Sequence, residues 1–309
     1  MTQDKPLLGV FLMLGFCVVA PMGDAIAKIL GQSVPLGELL LVRFAVQAIV
    51  LIPVVWLTKR AWRTSGRILH LVIARTILHI IGIGMMFTAL QYLPLADAVA
   101  IAFVMPFLML LLGKYVLNEV VGPRRLIACL VGFAGTLLVV QPSFVEVGWP
   151  ALLPLGVAVN FSVFMLVTRQ IAKETDPIAL QAVSGVIAMA IMLPMFAFAY
   201  GRDIPMMQLV APTAFEWQLL LSIGVLGSVA HLLMTWSLRY APSATLAPMQ
   251  YLEIPIATII GFLVFQDLPN GLAAVGILIT IGAGLYVILR ERQTAREERL
   301  NPPIVPEHA

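Results

Sequence analysis

Apolar residues occupy the chain in blocks of about 20, and the polar positions gather in the short breaks between them, in place of the one-sided apolar stripe of a water-facing helix. A helix rising about 1.5 Å per residue needs about 20 residues to cross the hydrocarbon layer. The blocks predict ten such spans, over residues 7–30, 35–57, 68–90, 95–116, 124–141, 149–171, 178–199, 215–238, 243–265 and 271–290. Turn formers mark the breaks, among them Pro35, Pro94, Gly122 with Pro123, Pro177, Pro242 and Pro269. The expected fold is all-α, a polytopic membrane protein.

Composition agrees with the pattern. Of 309 residues 61% are hydrophobic and 11% charged, against about 25% charged in soluble domains, and the mean hydropathy is +0.99. A water-soluble fold has too little interior to hide that much apolar surface. The opening six residues followed by an apolar run have the outline of a signal peptide, but the run continues past Leu30 and further spans follow, so it reads as a retained first helix.

The net charge of +3 is too small to point to nucleic acid, and the placement of the charges says more. With the N-terminus inside, Lys5, Lys59, Arg60, Arg63, Arg67, Lys114, Arg124, Arg125, Arg169, Lys173, Arg239, Arg290, Arg292, Arg296 and Arg299 all fall on the cytoplasmic side. Arg202 and Lys28 fall opposite. Both termini are therefore expected in the cytoplasm, with residues 291–309 as a flexible tail. Cys17 and Cys129 lie inside apolar runs and read as buried packing thiols. The histidines, at 70, 79, 231 and 308, have no metal-ligand spacing, and neither metal nor cofactor is expected.

The chain repeats itself. Leu90-Gln-Tyr-Leu-Pro-Leu-Ala96 returns as Leu238-Arg-Tyr-Ala-Pro-Ser-Ala244, and Pro106, Gly122 and Gly135 return as Pro255, Gly271 and Gly284. Earlier helices repeat as well, Gly15 with Gly156, Lys28 with Arg169 and Pro53 with Pro194. Five spans per half force the second half to enter the membrane upside down, so residues 1–146 and 147–290 are expected as inverted repeats, an architecture suited to alternating access.

Several segments carry a resemblance. Val42-Arg-Phe44, Arg75-Thr-Ile-Leu-His79, the run from Phe87 to Ala98, Val104-Met-Pro-Phe107, Leu117-Asn-Glu119 and Gly132-Phe-Ala-Gly-Thr-Leu-Leu138 together resemble, in order and spacing, the EamA group of the drug/metabolite transporter superfamily. The resemblance covers nearly the whole chain and implies a ten-helix transporter in the bacterial inner membrane. Its motifs do not specify a substrate. Gly15 to Pro21 with Asp24 and Lys28 is most similar to alphaproteobacterial members linked to riboflavin uptake, with an S-adenosylmethionine carrier or a metabolite exporter as alternatives.

A charge near the bilayer centre costs about 2.5–3.5 kcal/mol on insertion scales, so polar residues inside spans are candidates for function. Glu253 lies in the ninth span two residues before Pro255, while the matching stretch at Pro106 has no carboxylate. Either proline can loosen its helix. Glu253 reads as a substrate contact or proton-coupling group, against a satisfied structural carboxyl. His79, Asn160 and His231 fall inside the third, sixth and eighth spans and read equally as cavity lining or helix-to-helix hydrogen bonds. Asp24 and Lys28, four apart on one helix face, could pair with each other. Arg43 and Arg75 could attract an anionic group or tie down helix-end carbonyls or a carboxylate such as Asp97. Gln250, Tyr251 and Trp236 could hold a planar solute.

These readings favour a secondary transporter with a small-molecule substrate and the lipid bilayer as partners, no nucleic acid, and an oligomeric state, homodimer included, left open. A membrane-embedded enzyme would need a converging nucleophile, base or metal set, and no HExxH, paired intramembrane aspartates or Ser-centred elbow occurs. A lipid flippase would predict a laterally open groove.

Overall fold

The computed structural model of the chain describes residues 5–62, 65–118 and 122–300. Arg63, Glu119 of the family-like motif and the end of the expected tail, 301–309, lie outside them, as do the side chains of Arg124, Arg125, Cys129 and residues 290–300.

The described chain is helical throughout. The first half runs α1 (Pro6–Leu30), α2 (Leu36–Leu57), α3 (Gly66–Ala89), α4 (Leu95–Ala102), α5 (Met105–Val116) and α6 (Pro123–Val147). A short 3-10 turn at Trp149–Leu152 leads into the second, with α7 (Leu153–Ile171), α8 (Pro177–Ala199), α9 (Ala214–Tyr240), α10 (Ser243–Leu246), α11 (Glu253–Phe265) and α12 (Gly271–Leu300). Eight segments are long and apolar enough to cross a bilayer, and Met249–Phe265 and Gly271–Tyr286 are shorter apolar helices.

The breaks start helices for local reasons. Pro6, Pro123 and Pro177 open α1, α6 and α8, where a missing N–H leaves nothing unsatisfied. The Asp176 carboxylate accepts from the Ile178 and Ala179 amides at 3.0 Å, and Thr213 with Glu216 forms a capping box on α9.

Two expected spans are not continuous. The fourth divides into α4 and α5 at Phe103 and Val104, with Pro106 in the first turn of α5. The ninth divides into α10, a 3-10 stretch at Ala247–Leu252, and α11, in which Pro255 is the third residue. Both prolines sit just after the break, because a proline early in a helix forfeits no intrahelical bond. The fifth helix also runs longer than expected, to Val147.

Packing follows the duplication. α1 lies along α9 and α3 along α7, two contacts that exchange when the halves are swapped. α2 against α8 and α6 against α12 each pair a helix with its own counterpart, and the broken spans meet in the middle, α4 against α11 and α5 against α10. These are two inverted five-helix repeats, interlocked. Close approach rests on small residues: a methyl at Gly276 of α12 would lie 2.4 Å from the Gly135 carbonyl oxygen of α6.

Polar side chains stitch the halves at depth. Gln47 Nε2 donates to the Gln181 carbonyl at 2.8 Å, and Gln181 Nε2 donates to the His231 carbonyl and Thr235 Oγ1, both at 3.0 Å. At one end of the bundle Arg60 pairs with Asp176 and Arg67 with Glu174, Arg239 donates to the Thr175 carbonyl, and Arg169 donates to the Leu238 carbonyl. At the other, Lys28 Nζ reaches Asp267 Oδ2 at 2.8 Å.

Candidate functional site

Where the broken spans meet α1, α3, α7 and α9, a cavity of about 110 Å³ opens in the centre of the bundle. Its walls are mostly small and aliphatic side chains, with four phenylalanines among them: Phe16 from α1, Phe87 from α3, Phe103 from the break between α4 and α5, and Phe161 from α7. Phe16 stacks on Phe161 at 6.3 Å between centroids. Three polar groups interrupt this lining, Asp24, His231 and Glu253. A second lobe of about 60 Å³, bordered by α1, α2, α3 and α9, shares Asp24 and His231 and adds Arg43.

Each polar group is set there by its element. Glu253 is the first residue of α11, directly after the 3-10 stretch, and is 8% exposed. It makes no hydrogen bond or ion pair among the described residues. Arg43 lies mid-way along α2, 4% exposed, with its Nη1 lacking a hydrogen-bond partner. Its guanidinium lies against the backbone at Gly227 of α9, where a methyl would come within 2.7 Å of Nη2. Asp24 lies within electrostatic reach of Arg43 on one side and Glu253 on the other.

Beside the cavity, His79 and His231 face each other with Nε2 atoms 2.9 Å apart, so one ring donates and the other accepts. Phe44 and Phe164 hold the His79 ring at 5.2 and 5.0 Å. Arg75 stands behind Phe164, 4.6 Å from its centroid, and donates to Thr168 Oγ1 and Ser184 Oγ at 2.9 Å each. Its role here is to join α3 to α7 and α8.

The remaining expected site residues are dispersed. Asn160 Nδ2 donates to the Leu78 carbonyl at 2.8 Å and packs on Gly82, a helix-to-helix bond. Gln250 Nε2 points at the sulfurs of Met13 and Met165, and the Tyr251 ring packs on Phe103 at 5.6 Å, both side chains fully buried and outside the cavity lining. Trp236 packs with Leu51, Val55 and Ala182, away from the cavity. The expected option of an Asp24–Lys28 pair is corrected: Lys28 reaches Asp267 and lies over the Phe265 ring, because the C-terminal end of α1 meets the α11–α12 turn, while Asp24 lines the cavity. An Arg43–Asp97 tie is likewise not formed, since Asp97 accepts from Ser143 Oγ at 3.0 Å. The aromatic walls were not singled out from sequence, because a phenylalanine inside a span is unexceptional until its neighbours are known.

A cleft of about 820 Å³ lies elsewhere, between α2 and α8, lined by Trp56, Trp62, Lys59, Arg60 and aliphatic side chains. Its walls include the exposed Trp56, Leu57 and Trp62 and bring no buried polar groups together. The central cavity does, which makes it the candidate site.

The sequence pattern of EamA-like transporters matches residues 7–141 and again 148–290, one copy per half. The chain belongs to the EamA-like transporter family. Relatives include an S-adenosylmethionine uptake transporter of Rickettsia prowazekii, 25% identical over 90% of this chain and 91% of its own length. A riboflavin transporter of Brucella anthropi is 29% identical over 77% of this chain and 82% of its own, and one of Vibrio cholerae is 23% identical over 96% and 98%. A solved structure, described only as the crystal structure of a protein, matches with a TM-score of 0.68 at 20% identity over 93% of this chain and 98% of that one, which supports the fold. For a family of transporters, a cavity between two inverted repeats is the place where a solute would be held. At about 110 Å³ it is smaller than the roughly 300–1,000 Å³ of sites that enclose a metabolite, so loading requires the surrounding helices to part.

Proposed function

We propose that this EamA-family protein is a secondary transporter that carries a metabolite built on a planar heteroaromatic ring across the bacterial inner membrane, by alternating access around the central cavity. The observation that carries this reading is the apolar chamber at the meeting of the two broken spans, with Phe16, Phe87, Phe103 and Phe161 in its walls and polar groups reaching it from both halves. Stacking rings hold a flat solute, and the few buried polar groups orient it.

Riboflavin is the first substrate to test, on the likeness of the first helix and the riboflavin transporters among the relatives. S-adenosylmethionine is the second, and a specific observation favours it: two carboxylates, Asp24 and Glu253, face the same chamber. The bias of basic residues toward the end that holds Lys5, Arg60 and Arg239 supports an orientation with both termini in the cytoplasm. Energy would come from a solute or ion gradient.

The experiment is uptake of labelled riboflavin by cells unable to synthesise it, with and without the gene, with unlabelled S-adenosylmethionine as competitor. The reading expects gene-dependent, saturable uptake of riboflavin, or of labelled S-adenosylmethionine in a parallel arm. Uptake of neither in cells that make the protein would overturn it.

A further inference from the structure

We infer that Glu253 forms a subsite for a fixed positive charge on the solute, and that Arg43, in the adjoining pocket beside Asp24, receives a carboxylate, so that the chamber selects a zwitterionic aromatic metabolite bearing a sulfonium or substituted ammonium centre. This rests on the central cavity being the transport site.

The groups are arranged for it. Asp24 lines both pockets, Glu253 the larger and Arg43 the smaller, so Glu253 and Arg43 lie in adjoining spaces with Asp24 common to both. Arg43 lies within reach of Asp24, whereas the groups within reach of Glu253 are Asp24 and the Cys17 thiol, neither of them a cation. The other buried guanidinium, Arg75, does not line either lobe and is engaged by Thr168 and Ser184 behind Phe164. Glu253 is thus a buried carboxylate to which the described chain supplies no cation, and Arg43 Nη1 is a buried donor without an acceptor. A carboxylate at bilayer depth is costly to keep charged unless a counter-charge is brought to it. A solute carrying a permanent cation brings one. The neutral isoalloxazine ring and ribityl chain of riboflavin bring none.

The test is binding to the purified full-length protein in lipid nanodiscs, comparing S-adenosylmethionine with S-adenosylhomocysteine, which differs by the methyl group and the sulfonium charge, and with riboflavin. The sulfonium compound should bind about 30-fold or more tightly than the thioether, the lower end of what a lost partner in a desolvated charge pair does to affinity. Glu253→Gln should bring the two affinities together, and an unaltered unfolding midpoint in the nanodisc shows that the variant is folded. Glu253→Asp should keep part of the preference. Equal affinities in the unaltered protein, a preference that survives Glu253→Gln, or binding of riboflavin alone would overturn the cation subsite. Riboflavin flux with those results would leave the transport reading standing, whereas absence of flux for every solute would remove the reading itself.

Discussion

Gly227→Ala tests whether the position of the Arg43 guanidinium matters apart from its charge. A methyl at Gly227 would lie 2.7 Å from Nη2, 2.8 Å from Nε and 2.9 Å from Cζ of Arg43. These three atoms belong to one planar group and must move together. Restoring an ordinary contact of 3.4 Å moves the group by about 0.7 Å, and the adjoining lobe of about 60 Å³ gives it somewhere to go. The guanidinium should therefore shift before the helices separate. Because a misplacement of about 1 Å in a positioned group can lower a rate about 100-fold, this shift should lower initial uptake at limiting substrate by about tenfold. Strain from overpacking, about 1–3 kcal/mol at most, should leave the protein folded. Initial rates in proteoliposomes are compared with those of Gly282→Ala, where nothing lies within 4 Å of the added methyl, and thermal unfolding is followed in detergent. A Gly227→Ala protein that transports at the unaltered rate would refute the positional role of Arg43, and so would a loss of rate no larger than the loss of folded protein.

Gly276→Ala should act on stability instead, since its methyl would meet the Gly135 carbonyl oxygen at 2.4 Å and α6 and α12 would have to spread; a drop of about 1–3 kcal/mol, read as a lower unfolding midpoint, is expected. Arg60→Ala removes a partly exposed pair with Asp176 and should change stability by about 1 kcal/mol or less, with salt screening much of the effect. A reporter fused after Ala309 should read out in the cytoplasm, and a periplasmic signal would reverse the proposed orientation.

The membrane fold was legible because burial in lipid leaves its mark on every residue of a span, and the repeated Leu-x-Tyr-x-Pro-x-Ala segment showed that the halves match. Pro106 and Pro255 pointed to the broken spans, although each break falls just before its proline, where a helix can restart without losing a bond. The site was legible one residue at a time. Asp24, Arg43, His231 and Glu253 stood out as polar groups at depth, but that they line two adjoining pockets depends on how α1, α2, α9 and α11 rotate about their axes, which small-residue contacts such as Gly227 against Arg43 determine. For the same reason the His79–His231 contact, across 152 positions of sequence, and the reach of Lys28 to Asp267 in place of Asp24 had no signal in spacing. Lys28 and Asp24 do lie four apart, but the α11–α12 turn offers a carboxylate at the end of the bundle where the lysine can stay near water.

The most direct measurement is flux through the purified protein in sealed proteoliposomes, with labelled S-adenosylmethionine and labelled riboflavin offered in parallel. The account predicts saturable, protein-dependent uptake of at least one of them, with exchange against the same unlabelled solute preloaded inside and a rate strongly reduced in Gly227→Ala. Uptake of both solutes no faster than in protein-free vesicles, from a preparation that unfolds cooperatively and so was folded at the start, would contradict it.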